Sequence, residues 1–368
     1  MKNLLDHSEE QTRDYQALRI ALVQYSPKLG EVEDNMERVE ELCSRIEPGS
    51  VDLVCFPEMA LSGYVFHSPT EISPYLEIPQ EGPTSRMCER LARRVGCFVV
   101  AGYPERLVLN TTTDIGVAAA DRPGANSAIV YGPKGEFIGN YQKTNLWVTD
   151  KSWARPGPTC FASFTLPKPI GTLVLGICMD LNAHPPADWQ SVEAPYEFGE
   201  YAAKKISEGE AARGVAVLVN AWLDSGVWNL EEEEETKEKA VDWTTVKFWI
   251  NRLRPLWDFK SEKDRGRELG GAENKETIVV ICNRTGVERG QTFAGSSSIL
   301  KFRQCSGGPR LVGIMSRQEE GVSVWEALFT RISSNNSLMA VSRARTKHSV
   351  PNIPRIANSA LVLTVPSR

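Results

Sequence analysis

Val51-Asp-Leu-Val-Cys-Phe56-Pro-Glu58 is the stretch from which the fold can be read. Asp52 to Phe56 is a short apolar run without polar alternation, the pattern of a strand buried on both faces. The proline that follows restricts the backbone. Glu58 then stands at the C-terminal end of a buried strand, where open α/β sheets place their sites.

Outward from this point, strand and helix patterns alternate. Leu18 to Tyr25 is a β-branched and apolar run, and Glu31 to Ile46 carries apolar residues at helical spacing. Pro83 opens a helix that runs to Val95, with Gly96 as its C-cap signal, and Cys97 to Tyr103 is a strand again. Ser127 to Tyr131, a Gly132-Pro-Lys-Gly135 turn and Phe137 to Lys143 form a β-hairpin pattern. Leu173 to Cys178 and Val215 to Asn220 are buried strands; 277–283 and 296–302 follow, with 310–316 as a further strand. β-α-β units first and hairpins later predict mixed sheets covered by helices, an α/β or α+β layered fold.

The remaining segments read as additions to that frame. Residues 1–14 are polar and predict a flexible N-terminus. Insertions are expected near 183–213 and 229–276. The second contains the acidic block Glu231 to Glu235 and a charged, glycine-rich stretch from Lys260 to Lys275. A like-charge block of this kind is a solvated segment more often than a binding site for a basic partner. Within it, Trp243, Val246, Trp249, Ile250 and Leu253 recur at helical spacing, which predicts a core-facing helix over 241–257. Residues 341–368 lack periodicity until Ala360 and predict an irregular tail. The main folded part therefore spans 15–340.

Composition bounds the function classes. Of 368 residues, 41% are hydrophobic, and the formal net charge is −5. That balance leaves no basic footprint for nucleic acid. No apolar stretch is long enough to span a bilayer, and the N-terminus has no secretory h-region. Eight Cys without a C-x-x-C predict reduced thiols in a cytoplasmic or nuclear protein. The four His show no metal-ligand spacing, so no metal is expected.

Two further residues stand where Glu58 stands, at strand ends. Lys143 closes the second hairpin strand and could donate to a developing oxyanion, although most lysines are simply solvated. Cys178 ends Thr172-Leu-Val-Leu-Gly-Ile-Cys178, where a thiol can be presented to a pocket with the following backbone N–H as oxyanion donor. A Cys in an apolar strand is more commonly inert. Gly176, two positions earlier, would let substrate approach the backbone closely.

Taken together, these residues resemble the nitrilase superfamily of carbon-nitrogen hydrolases. The resemblance is carried by Pro57-Glu58-x-x-Leu61-Ser-Gly63-Tyr64, Tyr141-x-Lys143-x-x-Leu146 and Gly176-Ile-Cys178-x-Asp180. It continues in Asn283-Arg-Thr-Gly286-x-Glu288 and Phe293-Ala-Gly295-x-Ser297. Ala194-Pro-Tyr-Glu-Phe198, Ala221-Trp222-Leu223 and Trp249-Ile-Asn-Arg-Leu-Arg-Pro-Leu256 bring the chain near the branch that deamidates N-terminal Asn or Gln of proteins and feeds the N-degron pathway.

The resemblance implies a four-layer α-β-β-α sandwich, with 15–340 as the carbon-nitrogen hydrolase domain. It implies Glu58 as general base, Cys178 as nucleophile through a thioester, and Lys143 with the Met179 backbone N–H as oxyanion hole. No cofactor is implied. The partner would be a peptide or protein N-terminus beginning with Asn or Gln, and the state a monomer or homodimer. The superfamily often carries a second Glu a few residues after the Lys; here Thr149-Asp150-Lys151 stands instead, so Asp150 is the candidate supporting acid. Asp180 and Asp224 are candidates to receive the substrate α-amine, and Asp180 reads equally as a turn residue. Two rival readings are a small-molecule ω-amidase or carbamoyl amidase, and an impaired binding protein in which Lys151 has replaced the second acid.

Overall fold

Alternate residues of the central strands point in opposite directions, and here both sets are apolar. Leu53 and Cys55 face one core, while Val54 and Phe56 face another. Likewise Leu173, Leu175 and Ile177 face the first core, and Val174 faces a third. Two sheets built from such strands must bury both faces, and four layers are the simplest way to do so.

The structure is a computed structural model. It describes residues 15–107, 122–189, 191, 194–209, 212–227, 240–258, 275–304 and 306–330. The predicted N-terminus (1–14), the acidic block and the tail (341–368) lie outside the described residues, as does most of the predicted insertion 229–276.

In chain order the elements are β1 (Tyr15–Gln24), α1 (Val32–Cys43), β2 (Leu53–Cys55), α2 (Pro69–Ile72), α3 (Pro83–Val95), β3 (Phe98–Arg106), β4 (Gly124–Tyr131) and β5 (Phe137–Gln142). Then come β6 (Ala162–Thr165), β7 (Thr172–Ile177), α4 (Glu197–Glu208), β8 (Arg213–Asn220), α5 (Trp243–Arg252) and β9 (Glu276–Asn283). The chain continues through β10 (Val287–Glu288), β11 (Gln291–Thr292), β12 (Ser298–Arg303), β13 (Arg310–Ile314) and β14 (Gly321–Thr330).

One six-stranded sheet has the order β14-β1-β2-β3-β4-β5, the other β13-β12-β9-β8-β7-β6. Each is parallel at its centre, β1-β2-β3 in one and β7-β8-β9 in the other, and antiparallel at its edges. The sheets pack face to face through one shared core, to which β1 contributes Ile20 and Leu22, β8 Val217 and β9 Val280.

The helices cover the outer faces. On α1, Asn35, Val39 and Cys43 are buried at i, i+4, i+8, with Glu33 and Asp34 in the first turn where the helix dipole favours acids. On α3, Pro83 occupies the first turn and Met87, Cys88, Leu91, Ala92 and Val95 are buried. Phe198, Ala202 and Ile206 of α4 and Val246 and Trp249 of α5 seal the second sheet. The four-layer α-β-β-α expectation describes this architecture.

Three departures from the sequence reading have physical causes. Trp243, placed in the core-facing stripe, is 47% exposed. It directly follows the cap residue Asp242, whose carboxylate accepts Thr245 N–H at 3.0 Å, so the helix begins on its outward side. Helix α4 lies within the predicted insertion 183–213 and is an integral layer. Strand β14 was not foreseen: its residues alternate unevenly between exposed and buried, because it forms a sheet edge beside β1.

Candidate active site

The site forms where strands of both sheets end. Glu58 lies just past β2, Lys143 just past β5, Cys178 just past β7, and Asn220 closes β8. Glu58, Lys143 and Asp150 have no solvent exposure, and Cys178 has 5%.

The backbone holds these groups tightly. Gly102 of β3 lies so near Glu58 that a Cβ there would come within 2.6 Å of Glu58 Cα, so a side chain would displace the acid. Glu58 N–H donates across the seam to Asn220 O at 3.3 Å. Lys143 N–H donates to Asn126 O at 2.8 Å. Cys178 has a positive φ of 45°, an uncommon conformation for a residue with a Cβ. Its N–H donates to Asn220 Oδ1 at 3.2 Å. A short 3₁₀ turn, Cys178–Leu181, begins at the thiol, and Met179 N–H lies in that first turn, among the donors a helix start leaves without an intrahelical acceptor.

Side chains then converge on Lys143. Its Nζ donates to Glu58 Oε1 at 2.6 Å and to Asp150 Oδ2 at 2.7 Å. Asn126 Nδ2 donates to the same Glu58 Oε1 at 2.6 Å and to Asp150 Oδ1 at 2.9 Å. Ala221 N–H donates to Glu58 Oε2 at 2.8 Å, and Trp147 N–H to Asp150 Oδ2 at 2.9 Å. The Tyr64 ring lies 5.9 Å from Lys143 Nζ.

Two carboxylates thus share one cation in a dry site, which sets the acid–base properties. Burial raises Glu58 above the ordinary carboxyl range; Lys143 opposes this and Asp150 adds to it. Burial raises the Cys178 thiol well above its usual value, and the nearby Glu58 charge raises it further. Burial alone would lower Lys143, but Asp150 and Glu58 outweigh it, so the ammonium persists. The resting thiol is therefore neutral.

Comparison with known proteins places this geometry. The carbon-nitrogen hydrolase family profile matches residues 19–185. The protein N-terminal amidase of Schizosaccharomyces pombe is 29% identical over 315 residues, covering 84% of this chain and 99% of that protein. A nitrilase of Pyrococcus abyssi is 32% identical over 165 residues, 44% of this chain and 56% of that one. Over residues 19–185 the chain is similar to the carbon-nitrogen hydrolase family. A crystal structure of an N-terminal amidase shares the hydrolase fold with a TM-score of 0.67 at 21% identity, covering 86% of this chain and 98% of that one. An amidase from Nesterenkonia sp. does so with a TM-score of 0.55 at 18% identity, covering 85% and 90%.

Within this hydrolase, the structure brings Glu58, Lys143, Cys178 and Asp150 together. Lys151, raised as a replacement for the second acid, is exposed and makes no bond to Lys143; Asp150 occupies that side instead. Asp180 does not stand ready for an ammonium. Its Oδ1 accepts Thr144 N–H (3.2 Å), Thr144 Oγ1–H (3.2 Å) and Asn145 N–H (2.9 Å), and its Oδ2 accepts Tyr141 O–H (2.8 Å) and Ile177 N–H (3.0 Å). A carboxylate has about four acceptor sites, and these are taken. Asp180 ties the end of β5 to the nucleophile turn, the turn-residue alternative.

Asp224 belongs to a different bonding network from Glu58, Lys143 and Asp150. It faces Arg317 Nη1 at 3.4 Å, while Gly226 N–H donates to its Oδ1 at 2.7 Å. Its buried Oδ2 accepts no hydrogen bond. Gly176 serves a purpose other than substrate approach: a Cβ there would meet the Phe198 ring at 2.6 Å, so the missing side chain makes room for α4.

Sequence reasoning missed Asn126, Asn220 and Asn145. Asn145 Nδ2 donates to Met179 O at 2.8 Å and Ala183 O at 3.2 Å, fastening the loop behind the thiol. Asn220 was visible as a polar residue ending the apolar run Val215-Ala-Val-Leu-Val219, the same signal that singled out Glu58 and Cys178.

Proposed function

We propose that this hydrolase removes the side-chain amide from N-terminal Asn or Gln of proteins or peptides, giving Asp or Glu and ammonia. The likeness to the fission yeast protein N-terminal amidase along nearly the whole of that protein carries this reading. A similarly folded N-terminal amidase has been crystallised with an Asn-Glu peptide and with a Gln-Gly peptide.

The geometry supports a thioester route. Glu58 takes the Cys178 proton as the sulfur attacks the amide carbon. Ala221 N–H donates to Glu58 Oε2 at 2.8 Å and so fixes the carboxylate that would take the proton. Lys143 Nζ and Met179 N–H stabilise the tetrahedral oxyanion. The protonated Glu58 gives its proton to the departing nitrogen, and ammonia leaves the thioester. Glu58 then takes a proton from water, which attacks the thioester; the acid product departs as Cys178 regains its proton. Asp150 holds Lys143 throughout. Nothing in this sequence of steps calls for a cofactor.

Asp224, whose Oδ2 is paired with Arg317 at 3.4 Å without a hydrogen bond, is the acceptor we assign to the substrate α-ammonium. We place the protein in the cytoplasm or nucleus, as a monomer or homodimer; the seven described cysteines are free thiols. No helix among the described residues is long and apolar enough to cross a membrane.

The test is ammonia release from short peptides beginning with Asn or Gln, beside α-acetylated copies and peptides with internal Asn. Release only from free N-terminal residues, abolished in Cys178→Ser, is the expected result. Release from small ω-amides alone would replace this reading with that of a small-molecule amidase. A folded protein silent on both would be a binding protein.

A further inference from the structure

The lysine at the centre of the site cannot by itself explain how two buried carboxylates coexist there. Glu58 and Asp150 both point at Lys143 Nζ, which offers one positive charge. If both are ionised, the cluster carries an excess negative charge with no solvent around it. Like-charged carboxylates in one dry site ordinarily relieve this by sharing a proton. A proton held between Glu58 and Asp150 would occupy the oxygen lone pairs of the base and halt proton transfer from Cys178.

The group placed to prevent this is Asn126 of β4. Its single nitrogen carries two hydrogens, and each goes to a different carboxylate: one to Glu58 Oε1 at 2.6 Å, the other to Asp150 Oδ1 at 2.9 Å. The amide orientation follows from the network, since the reversed side chain would aim Oδ1 at two acceptors. The arrangement has a cost: Asn126 Oδ1 is buried without a hydrogen-bond partner, in a residue with no solvent exposure. Its backbone is engaged too, because Asn126 O accepts Lys143 N–H at 2.8 Å. One residue therefore sets the lysine backbone and spans the two acids.

We infer that Asn126 is a positioning residue whose amide bridges Glu58 and Asp150, keeps them from sharing a proton, and so leaves Glu58 free to act as the base for Cys178. It touches neither substrate nor sulfur and acts only through the two carboxylates. The inference rests on the proposed Glu58–Cys178 proton transfer, but not on which amide is the substrate.

For that reason the test uses iodoacetamide, a neutral alkylating reagent, and reads modification of the Cys178 peptide by mass across pH. In the native protein, alkylation rises with pH as Glu58 becomes an available base. Asn126→Ala removes both donors, and its acid limb should move upward by about one pH unit, with the rate on that limb falling by up to about tenfold. Asn126→Asp should act at the other end: while protonated it still donates one hydrogen, but on ionising it adds a third carboxylate, so the rate should fall again as pH rises. Asn126→Ser, which keeps one donor, should lie between native and Asn126→Ala.

Opposite displacement of the two limbs cannot come from a residue that only fills space. Profiles of the folded Ala and Asp variants that overlay the native one would overturn the proposal. If Asn126→Ala fails to fold, the Ser and Asp variants decide the matter by the same criterion. Ammonia release from Asn peptides is measured in parallel: a native enzyme inactive on those peptides, yet with displaced alkylation limbs in the variants, would reject the substrate and leave this assignment standing.

Discussion

Two buried charge centres lie at the same end of the sandwich and behave differently. In one, Glu58 and Asp150 share Lys143. In the other, Glu288 meets Arg284 at 2.7 Å, one charge against one. The second centre is densely bonded, although Arg284 Nε has no hydrogen-bond partner. Glu288 Oε1 accepts Tyr64 N–H at 2.8 Å and Val65 N–H at 2.5 Å, and Arg284 Nη2 donates to Pro27 O at 3.1 Å. The Arg284 guanidinium also lies 4.0 Å over the Phe293 ring. A matched, densely bonded pair fixes the loop bearing Tyr64. An unmatched pair of acids beside a thiol is poised to take a proton. The contrast shows that burial and charge alone do not make a site; what sets the first centre apart is that two acids share one cation beside a thiol.

The largest effect should come from breaking the unmatched centre. Glu58→Gln should lower turnover by about 10³- to 10⁴-fold, since it removes the proton acceptor. Because it also relieves excess negative charge, its melting temperature should stay near native. Steady-state ammonia release with a thermal melt checks both. A large drop in melting temperature would mean that Glu58 is as structural as Glu288.

Breaking the matched centre should invert that pattern. Glu288→Gln leaves Arg284 buried without its counter-charge and should cost about 3–5 kcal/mol of stability. Denaturant unfolding measures this, and Cys178 in the folded fraction should still alkylate. A third substitution sharpens the contrast within the catalytic centre: Asp150→Ala should lower kcat by about ten- to a hundred-fold, because Lys143 loses one of its two anchors. Unchanged turnover would remove Asp150 from the mechanism. The smallest effect belongs to Asp224→Asn, which should raise KM for peptides with a free α-amine by about three- to ten-fold and leave kcat near native. An unchanged KM would remove Asp224 as the ammonium acceptor.

Much of this organisation was legible in the sequence because it is local. β2, β7 and β8 are uninterrupted apolar runs, and the residue that breaks each run reports the strand end. Helix α3 carries its own start and stop, Pro83 and Gly96. Glu58, Lys143 and Cys178 each follow a strand, and their order along the chain makes them recognisable as a set. Asn126 was invisible for the opposite reason. It sits inside β4, where an Asn among small and apolar residues resembles any polar interruption. Its meaning comes from Glu58, 68 positions earlier, and Asp150, 24 positions later. Strand β14 pairs with β1 from the far end of the described chain, a relationship no local pattern records. Asp180 and Asp224 could be ranked only once their oxygens had partners to count.

The proposed base and nucleophile come from different sheets: Glu58 follows a strand of the first, Cys178 a strand of the second. Several bonds near the thiol cross that seam, among them Glu58 N–H to Asn220 O, Ala221 N–H to Glu58 Oε2, and those that Tyr141, Thr144 and Asn145 make to Asp180. Each sheet is held by its own ladder, whereas away from these bonds the two sheets meet through the apolar packing of their shared core. Warming should therefore let the two slabs slide or part by fractions of an ångström while each remains intact. Proton transfer is intolerant of such a gap, so the enzyme should fall silent some degrees before its secondary structure melts.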